Sequence, residues 1–289
     1  MITLAQAYWN QREALAAARE RLLALAAAID WPNDLRPYQW GQLYAMALEF
    51  KPDLVLELGR GYGNSTCVFT EAANRLGGCR VLSLDLSSIW KKRLRRVRGI
   101  VPEEWFAPLS APLADILAYD YATALAGAQR ILVFWDAHGY AVAECMLGGI
   151  LPLLQPKVHL VLMHDLSDAR YSSGGSAYDQ PMYKGGNHGA AKLRLGNVVS
   201  GVEQAISITD FAARNGLALQ SADHDLRTGL AHRADELQAL LGELFAMQAH
   251  WFYFTLNGLA TPPHYPPFRP GGKSNLRVLL GDTVRRLIR

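Results

Sequence analysis

The sequence predicts an α/β protein built around a mostly parallel β-sheet, and three observations support this prediction. Five short apolar runs recur at nearly regular intervals: residues 54–58, 81–84, 105–109, 131–135 and 158–163. The runs are continuously apolar rather than alternating, which is typical of strands buried on both faces. Most of the gaps between them are long enough for a helix, as right-handed βαβ units require.

Helices and further strands are predicted around these five runs. Residues 4–30 place apolar side chains at helical spacing with charges between them, and the pattern ends at residues 31–34. The other predicted elements are a helix at 38–50, a helix at 197–215, a strand at 217–223, an amphipathic helix at 234–248, an aromatic strand at 251–256 and a basic helix at 275–289.

The domain organisation follows from these elements. We predict an N-terminal helical segment over 1–50, a domain over 51–260 and a Pro-rich basic tail over 261–289. Residues 166–200, rich in Gly and Ser, interrupt the domain as a long insertion. Such loops are usually functional or disordered. The segment 166–200 could serve as a lid that recognises a polar acceptor. The alternatives are an ordinary surface insertion and a contact within a homo-oligomer.

The composition excludes several classes of protein. The 29 Lys and Arg against 26 Asp and Glu are too balanced to argue for nucleic acid as a partner. Cys67, Cys79 and Cys145 are far apart, which argues against a disulfide framework and against a structural zinc site. Three cysteines, odd in number and without CxxC spacing, favour a reducing, cytoplasmic setting. No uncharged run is long enough to span a membrane.

Polar residues follow every apolar run, at the end where ligands bind in open parallel sheets. In chain order they are the Gly-rich stretch 59–66, Asp85, Ser110, the pair Asp136 and His138, and the pair His164 and Asp165. A fold without a ligand would not need polar groups at all five strand ends. We therefore predict a binding site at this edge of the sheet.

The stretch after the first run is a glycine turn. It contains Gly59, Gly61 and Gly63, with Glu57 before it and Ser65 after it. Alternate glycines allow a sharp turn and a close approach of the backbone to a ligand, beside the free N–H groups of a helix that begins near Asn64. The alternative is a plain strand-to-helix turn. The spacing is GxGxG, not the GxGxxG of dinucleotide-binding folds.

Asp85 ends the second run, where an acidic side chain can bind the two hydroxyls of a ribose. The alternative is that Asp85 caps the following helix. That helix carries a basic run at residues 91–98, which is either a solvated face or a contact for phosphate or an acidic polymer.

The acidic-x-Gly-x-Gly-x-Gly turn, the acid after the second strand and the late aromatic strand together resemble class I methyltransferases that use S-adenosylmethionine. The resemblance covers about residues 36–257. It implies a Rossmann-like fold with N-terminal helices and a seven-stranded, mostly parallel sheet, whose antiparallel last strand lies between strands five and six. It also implies that S-adenosylmethionine is bound by Glu57, Gly59, Gly61, Gly63, Ser65, Asp85 and Ser110.

A narrower resemblance concerns the fourth and fifth strand ends. Residues 134–140 (Phe-Trp-Asp-Ala-His-Gly-Tyr) look like the Asp-x-x-His-x-Tyr stretch of the family that contains macrocin O-methyltransferases and cephalosporin-hydroxylase-like proteins. Residues 163–165 are similar to the acidic pair that follows strand five in that family. The resemblance implies magnesium bound by Asp136, Asp165 and His164, with Asp136 and His138 as catalytic residues and His138 as the base.

This sequence departs from the pattern of that family at two positions. One residue, not two, separates Asp136 from His138, and His164 stands where a carboxylate is more common. A mixed set of imidazole and carboxylate ligands can prefer manganese or zinc. Two further alternatives are that no metal is bound and that His138 is an ordinary histidine in a turn.

The sequence thus predicts a metal-assisted O-methyltransferase that acts on a hydroxyl of a sugar or another natural product. One alternative is a nicotinamide-dependent oxidoreductase, which the GxGxG spacing and Glu57 disfavour. The other is a non-catalytic binding or assembly protein that keeps the fold and uses the insertion and the tail as its surface.

Overall fold

The centre of the structure is a β-sheet of seven strands. The computed structural model describes residues 2–31, 34–164 and 204–270. The strands are β1 Leu54–Leu58, β2 Arg80–Leu84, β3 Leu109–Ser110, β4 Arg130–Trp135, β5 Val158–His164, β6 Gln220–Ser221 and β7 Trp251–Phe254. The helices are α1 Leu4–Ile29, α2 Pro37–Phe50, α3 Asn64–Leu76, α4 Trp90–Arg98, α5 Tyr121–Leu125, α6 Tyr140–Glu144, α7 Leu151–Leu154, α8 (residues 204–215), α9 Ala222–Leu230 and α10 Ala234–Leu241.

The strand order is β3-β2-β1-β4-β5-β7-β6. The pairs from β3 through β5 are all parallel, whereas β7 runs antiparallel to both β5 and β6. An antiparallel last strand between strands five and six is the arrangement that the resemblance to class I methyltransferases implies. The predicted fold class is therefore confirmed: the chain has the Rossmann-like class I methyltransferase fold.

Both faces of the sheet are buried, and adjacent residues of one strand enter opposite cores. On β1, Val55 packs into the core formed with α1, α2, α3 and α10, while Leu54 and Leu56 pack into the core formed with α5, α7 and α8. On β5, Leu162 packs into the first of these cores and Met163 packs into the second. Two buried faces explain why the strand sequences are continuously apolar.

The N-terminal helices share the first of these two cores. The buried faces of α1 and α2 belong to the same apolar cluster as Val55, Phe69 and Trp251. This packing places the connection between α1 and α2 beside the carboxyl ends of the parallel strands. None of the helices in the described ranges is long and apolar enough to cross a membrane.

The strand predicted at 105–109 is wrong for most of its length. A 3₁₀ turn occupies Glu103–Phe106, and β3 consists of Leu109–Ser110 alone. Pro108 has no N–H to give to a ladder, although its carbonyl still accepts a hydrogen bond from the Val81 N–H at 2.8 Å. The apolar residue Trp105 is buried by the turn rather than by a strand.

Two later elements are shorter than predicted. Of residues 217–223, only Gln220–Ser221 form a strand, because the Ser221 hydroxyl caps α9 by accepting a hydrogen bond from the His224 N–H. The helix predicted at 234–248 ends at Leu241, where Gly242 adopts φ 55° and begins a 3₁₀ turn. The helix predicted at 275–289 and the start of the one predicted at 197–215 lie outside the described residues.

His159 is a buried histidine in β5 whose ring links neighbouring segments. Its Nε2 accepts a hydrogen bond from the Leu256 N–H at 2.9 Å, and its Nδ1 lies 2.9 Å from the Lys157 carbonyl oxygen. Since Nε2 accepts, Nδ1 carries the proton and the ring is neutral. Burial lowers the pKa of His159, with hydrogen bonds to the carbonyl groups of Lys157 and Leu154 opposing this shift.

We expect His159 to make the protein less stable in mild acid. Its pKa is lower in the folded state than the value of about 6.5 in the unfolded chain, so unfolding takes up a proton. The contribution of His159 to stability is complete above the unfolded-state pKa of about 6.5 and is lost as the pH falls towards the folded-state pKa. Urea denaturation from pH 7 to pH 5 should show a smaller loss for His159→Gln, which keeps an acceptor, than for the native chain. The exposed control His232→Gln should retain the native loss, and equal losses in all three proteins would contradict this role.

Candidate active site

The glycine turn between β1 and α3 adopts a backbone conformation that side chains rarely tolerate. Gly59, Gly61 and Gly63 have φ values of 93°, 50° and 99°. A Cβ on Gly59 would lie 2.8 Å from the carbonyl oxygen of Asp136, so this glycine allows the ends of β1 and β4 to approach each other. A Cβ on Gly63 would collide with the ring of Trp90. At Gly61 a Cβ would have no described atom within 4 Å, so this part of the turn is open to a ligand.

Glu57 supports the turn from beneath. Its side chain is fully buried and accepts hydrogen bonds from the hydroxyls of Ser65 and Thr66, the latter at 2.6 Å. Burial raises the pKa of the Glu57 carboxyl, while these hydroxyls and the positive charge of Arg60 oppose the shift. Two of the residues predicted to bind the cofactor, Glu57 and Ser65, are thus bonded to each other and tie β1 to α3.

Asp85 holds the turn from the side. Its Oδ2 accepts a hydrogen bond from the Gly61 N–H at 2.7 Å, and its Oδ1 accepts one from the Ser87 N–H at 2.5 Å. Helix α4 begins only at Trp90, so Asp85 does not cap it. The carboxylate is partly exposed and joins the end of β2 to the open part of the glycine turn.

Arg60 is a residue of the site that sequence reasoning missed. Only 1% of it is exposed, and its guanidinium donates hydrogen bonds to the carbonyl oxygens of Ser83 at 2.7 Å and Pro112 at 3.1 Å. Burial lowers the pKa of Arg60, and the negative charges of Glu57 and Asp85 oppose this shift. An arginine inside a glycine turn would normally be expected in solvent, so the local pattern gives no sign of its burial.

The ends of β4 and β5 meet in a second cluster. The Nδ1 of His164 lies 2.9 Å from Asp136 Oδ1, and the Nε2 of His164 lies 3.3 Å from the Gln39 amide nitrogen. Gln39 also donates to the Ala249 carbonyl and accepts from the Arg36 N–H, which fixes the orientation of its amide. Because the amide nitrogen can only donate, His164 accepts at Nε2 and donates its Nδ1 proton to Asp136.

Asp34, in the connection between α1 and α2, completes this cluster. Ligand atoms of Asp34, Asp136 and His164 all lie within 4.8 Å of one another. Asp34 also accepts a hydrogen bond of 2.8 Å from the side-chain amide of Asn64. Two carboxylates and an imidazole are a donor set that suits a divalent cation. Sequence reasoning missed Asp34 because it follows a helix rather than a strand of the sheet.

The other predicted site residues are only partly located. Ser110 is exposed at the end of β3, and His138 is exposed in the loop between β4 and α6. Asp165 and the insertion 166–200 lie outside the described residues. Of the predicted residues, the structure brings Asp136 together with His164, Asp85 together with Gly61, and Glu57 together with Ser65.

An aromatic contact places the α1–α2 connection over the glycine turn. Trp31 stacks on Tyr62 with ring centroids 4.1 Å apart, and the guanidinium of Arg93 lies 5.4 Å from the Tyr62 ring. Asn64, at the start of α3, donates to the Trp31 carbonyl oxygen at 3.2 Å. The connection that carries Asp34 is therefore anchored directly to the turn.

No protein-family model matches the chain, and no curated protein matches it. Solved structures similar to it include a Podospora anserina methyltransferase bound to S-adenosylhomocysteine, at 15% identity over 68% of this chain and 81% of that one, with a TM-score of 0.43. An O-methyltransferase from Bacillus cereus in complex with S-adenosylhomocysteine is 15% identical over 71% of this chain and 82% of that one, with a TM-score of 0.38. A putative O-methyltransferase from Klebsiella pneumoniae is 14% identical over 73% and 90%, with a TM-score of 0.40. The fold assignment rests on the strand order and orientations of this chain itself.

The support that Glu57 gives to the turn can be measured. We expect Glu57→Ala to lower the free energy of unfolding by about 2 to 4 kcal/mol, because it removes both acceptors and leaves a cavity. Glu57→Gln keeps the shape and one acceptor, so its loss should be clearly smaller. Chemical denaturation measures both. Equal losses for the two variants would show that neither the retained shape nor the retained acceptor stabilises the turn, and would contradict this role of Glu57.

Proposed function

We propose that this protein transfers a methyl group from S-adenosylmethionine to a hydroxyl of a small-molecule acceptor, a sugar or another natural product, with the help of a divalent cation. One observation carries the proposal. The open glycine of the turn, Gly61, is bonded to Asp85 at the same sheet edge at which Asp34, Asp136 and His164 converge. A cofactor site and a cation site would thus be neighbours.

The residues of the turn fit S-adenosylmethionine. The backbone at Gly61 is open to close approach, and α3 directs the positive end of its dipole towards the turn. Asp85 is partly exposed, and a carboxylate can accept more hydrogen bonds than the two that Gly61 and Ser87 donate, so it remains able to bind ribose hydroxyls. Glu57 and Ser65 would act by holding the turn in shape. Ser110 lies at the end of β3, the strand beside β2 and Asp85.

The strand order supports this cofactor over a nicotinamide. Dinucleotide-binding folds of the doubly wound type have the order 3-2-1-4-5-6. Here an antiparallel strand, β7, is placed between β5 and β6. The turn also has the spacing GxGxG rather than GxGxxG.

Asp136 and Asp34 would hold the cation directly, and His164 would become a ligand by exchanging its hydrogen bond to Asp136 or to Gln39 for the cation. The carboxylates favour magnesium, and the imidazole widens the choice to manganese or zinc. Asp165, which follows His164 directly, is a further proposed ligand. When bound, the cation supplies Lewis acidity that lowers the pKa of an acceptor hydroxyl.

The chain itself supplies orientation and a base. The hydrogen bond from His164 fixes the carboxylate of Asp136, and the buried Gln39 in turn fixes His164. His138, two residues after Asp136, is the proposed base that takes the proton of the acceptor hydroxyl. Much of the rate would come from holding the hydroxyl in line with the methyl group.

Gly61 provides a direct test of cofactor binding. Gly61→Asn should weaken binding of S-adenosylhomocysteine about tenfold or more, because the new side chain enters the space that the ligand needs. Asn tolerates the left-handed conformation, so the fold should persist. Gly77→Asn is the matched control. Gly77 also has a positive φ, 74°, and no described atom within 4 Å of a Cβ, but it lies at the C-terminal end of α3, away from the turn. Calorimetry that finds equal affinity for Gly61→Asn and the control would contradict the assignment.

The reaction itself can be tested by release of S-adenosylhomocysteine from S-adenosylmethionine with a panel of polyhydroxylated sugars and phenols. We expect release that depends on an acceptor, stops in EDTA and returns with Mg²⁺ or Mn²⁺. Asp136→Asn should reduce it about 100-fold, and the exposed control Asp235→Asn should not. Transfer that survives both EDTA and Asp136→Asn would refute the role of the cation.

A further inference from the structure

A cavity of about 310 Å³ lies apart from the glycine turn. It is open to solvent on one side and is lined by α6, by α8 and by the Pro-rich segment around residues 264–267. Three aromatic rings and two carboxylates dominate its lining: Tyr140, Phe211, Tyr265, Glu144 and Asp210. None of these residues belongs to the proposed cofactor or cation site.

The walls of this cavity are fixed by specific contacts, so it exists without a ligand. Asn215 at the end of α8 holds the backbone of His264, accepting from its N–H at 2.6 Å and donating to its carbonyl oxygen at 3.3 Å. A Cβ on Gly148 would lie 2.3 Å from the Pro266 carbonyl oxygen, so the segment rests directly on the helical backbone that follows α6. Pre-formed cavities lose little entropy when they bind a ligand.

The aromatic side of the cavity suits a flat ring. Phe211 is buried and stacks against Tyr265, with centroids 6.1 Å apart and ring planes at 27°. Pro266 and Pro267 extend this wall, and prolines have no backbone N–H to offer to a polar ligand. Aromatic walls also favour cations over anions, because the faces of the rings are electron-rich.

The charges of the lining leave one unbalanced carboxylate. Asp210 is paired with Arg214 at 2.7 Å, which cancels its charge. The remaining carboxylate of the lining is Glu144, whose oxygens can accept hydrogen bonds from a ligand. With His264 counted as uncharged, the lining therefore carries a net charge of −1, which complements a ligand with a single positive charge.

We propose that this cavity is a binding site for a small aromatic amine, with the ring against Phe211 and Tyr265 and the ammonium group at Glu144. The site does not depend on S-adenosylmethionine or on a cation. Helix α6 begins four residues after Asp136, so an occupant would lie next to the loop that carries His138.

Three ligands of equal size and different charge test this proposal on the full chain without cofactor. Calorimetry should show that phenethylamine binds about fivefold more tightly than neutral 2-phenylethanol and that anionic phenylacetate binds most weakly. Glu144→Gln should abolish the preference for the amine, while the exposed control Glu20→Gln should keep it. Tyr265→Leu should weaken phenethylamine and phenylethanol alike by removing the aromatic wall.

The proposal is overturned if the three ligands bind equally, if the preference persists in Glu144→Gln, or if Tyr265→Leu leaves both affinities unchanged. Thermal denaturation of each variant verifies that it is folded before its affinity is compared. Because no methyl donor is present, failure of this experiment leaves the proposed methyl transfer standing, and failure of methyl transfer leaves this site standing.

Discussion

The buried carboxyl of Glu57 is the constraint on which the rest of the site depends. It lies at the end of β1 and accepts hydrogen bonds from two hydroxyls in the first turn of α3. This fixes the angle at which the chain leaves the strand and enters the helix, and three glycines make that angle sterically possible. The open position at Gly61 and its bond to Asp85 exist only while this turn keeps its shape.

Electrostatics reinforce the same turn. Burial raises the pKa of Glu57 and lowers the pKa of Arg60, and each residue opposes the shift of the other. The two opposite buried charges attract each other, so removing either one leaves the other less compensated. Arg60 also binds carbonyl groups of β2 and of the segment after β3, and thereby joins three neighbouring strand ends.

The sequence predicts those parts of the fold that local pattern controls. Strand β1 has the predicted bounds, and β2, β4 and β5 differ by a single residue, because each is a continuous apolar run between turn residues. The extents of the short edge strands β3 and β6 were not predicted, since β3 begins only after Pro108 and β6 ends at Ser221, whose hydroxyl caps α9. The pairing of Asp136 with His164 follows from the adjacency of β4 and β5 in the sheet.

Residues that reach the site from outside the sheet escape such reasoning. Asp34 and Gln39 come from the connection between α1 and α2 and from α2 itself, and only tertiary packing of these helices places them beside His164. Arg60 follows a strand, yet its burial depends on Ser83 and Pro112, which are distant in sequence. These residues make the N-terminal helices part of the candidate site, because the connection both covers the turn and contributes a carboxylate.

A crystal structure of the protein with S-adenosylhomocysteine and Mn²⁺ tests the central claim most directly. We expect the ribose at Asp85, the amino acid part of the ligand against the glycine turn, and an anomalous manganese signal at Asp34, Asp136 and His164. A ligand that avoids the turn, or manganese bound at other residues while this cluster stays empty, would contradict it.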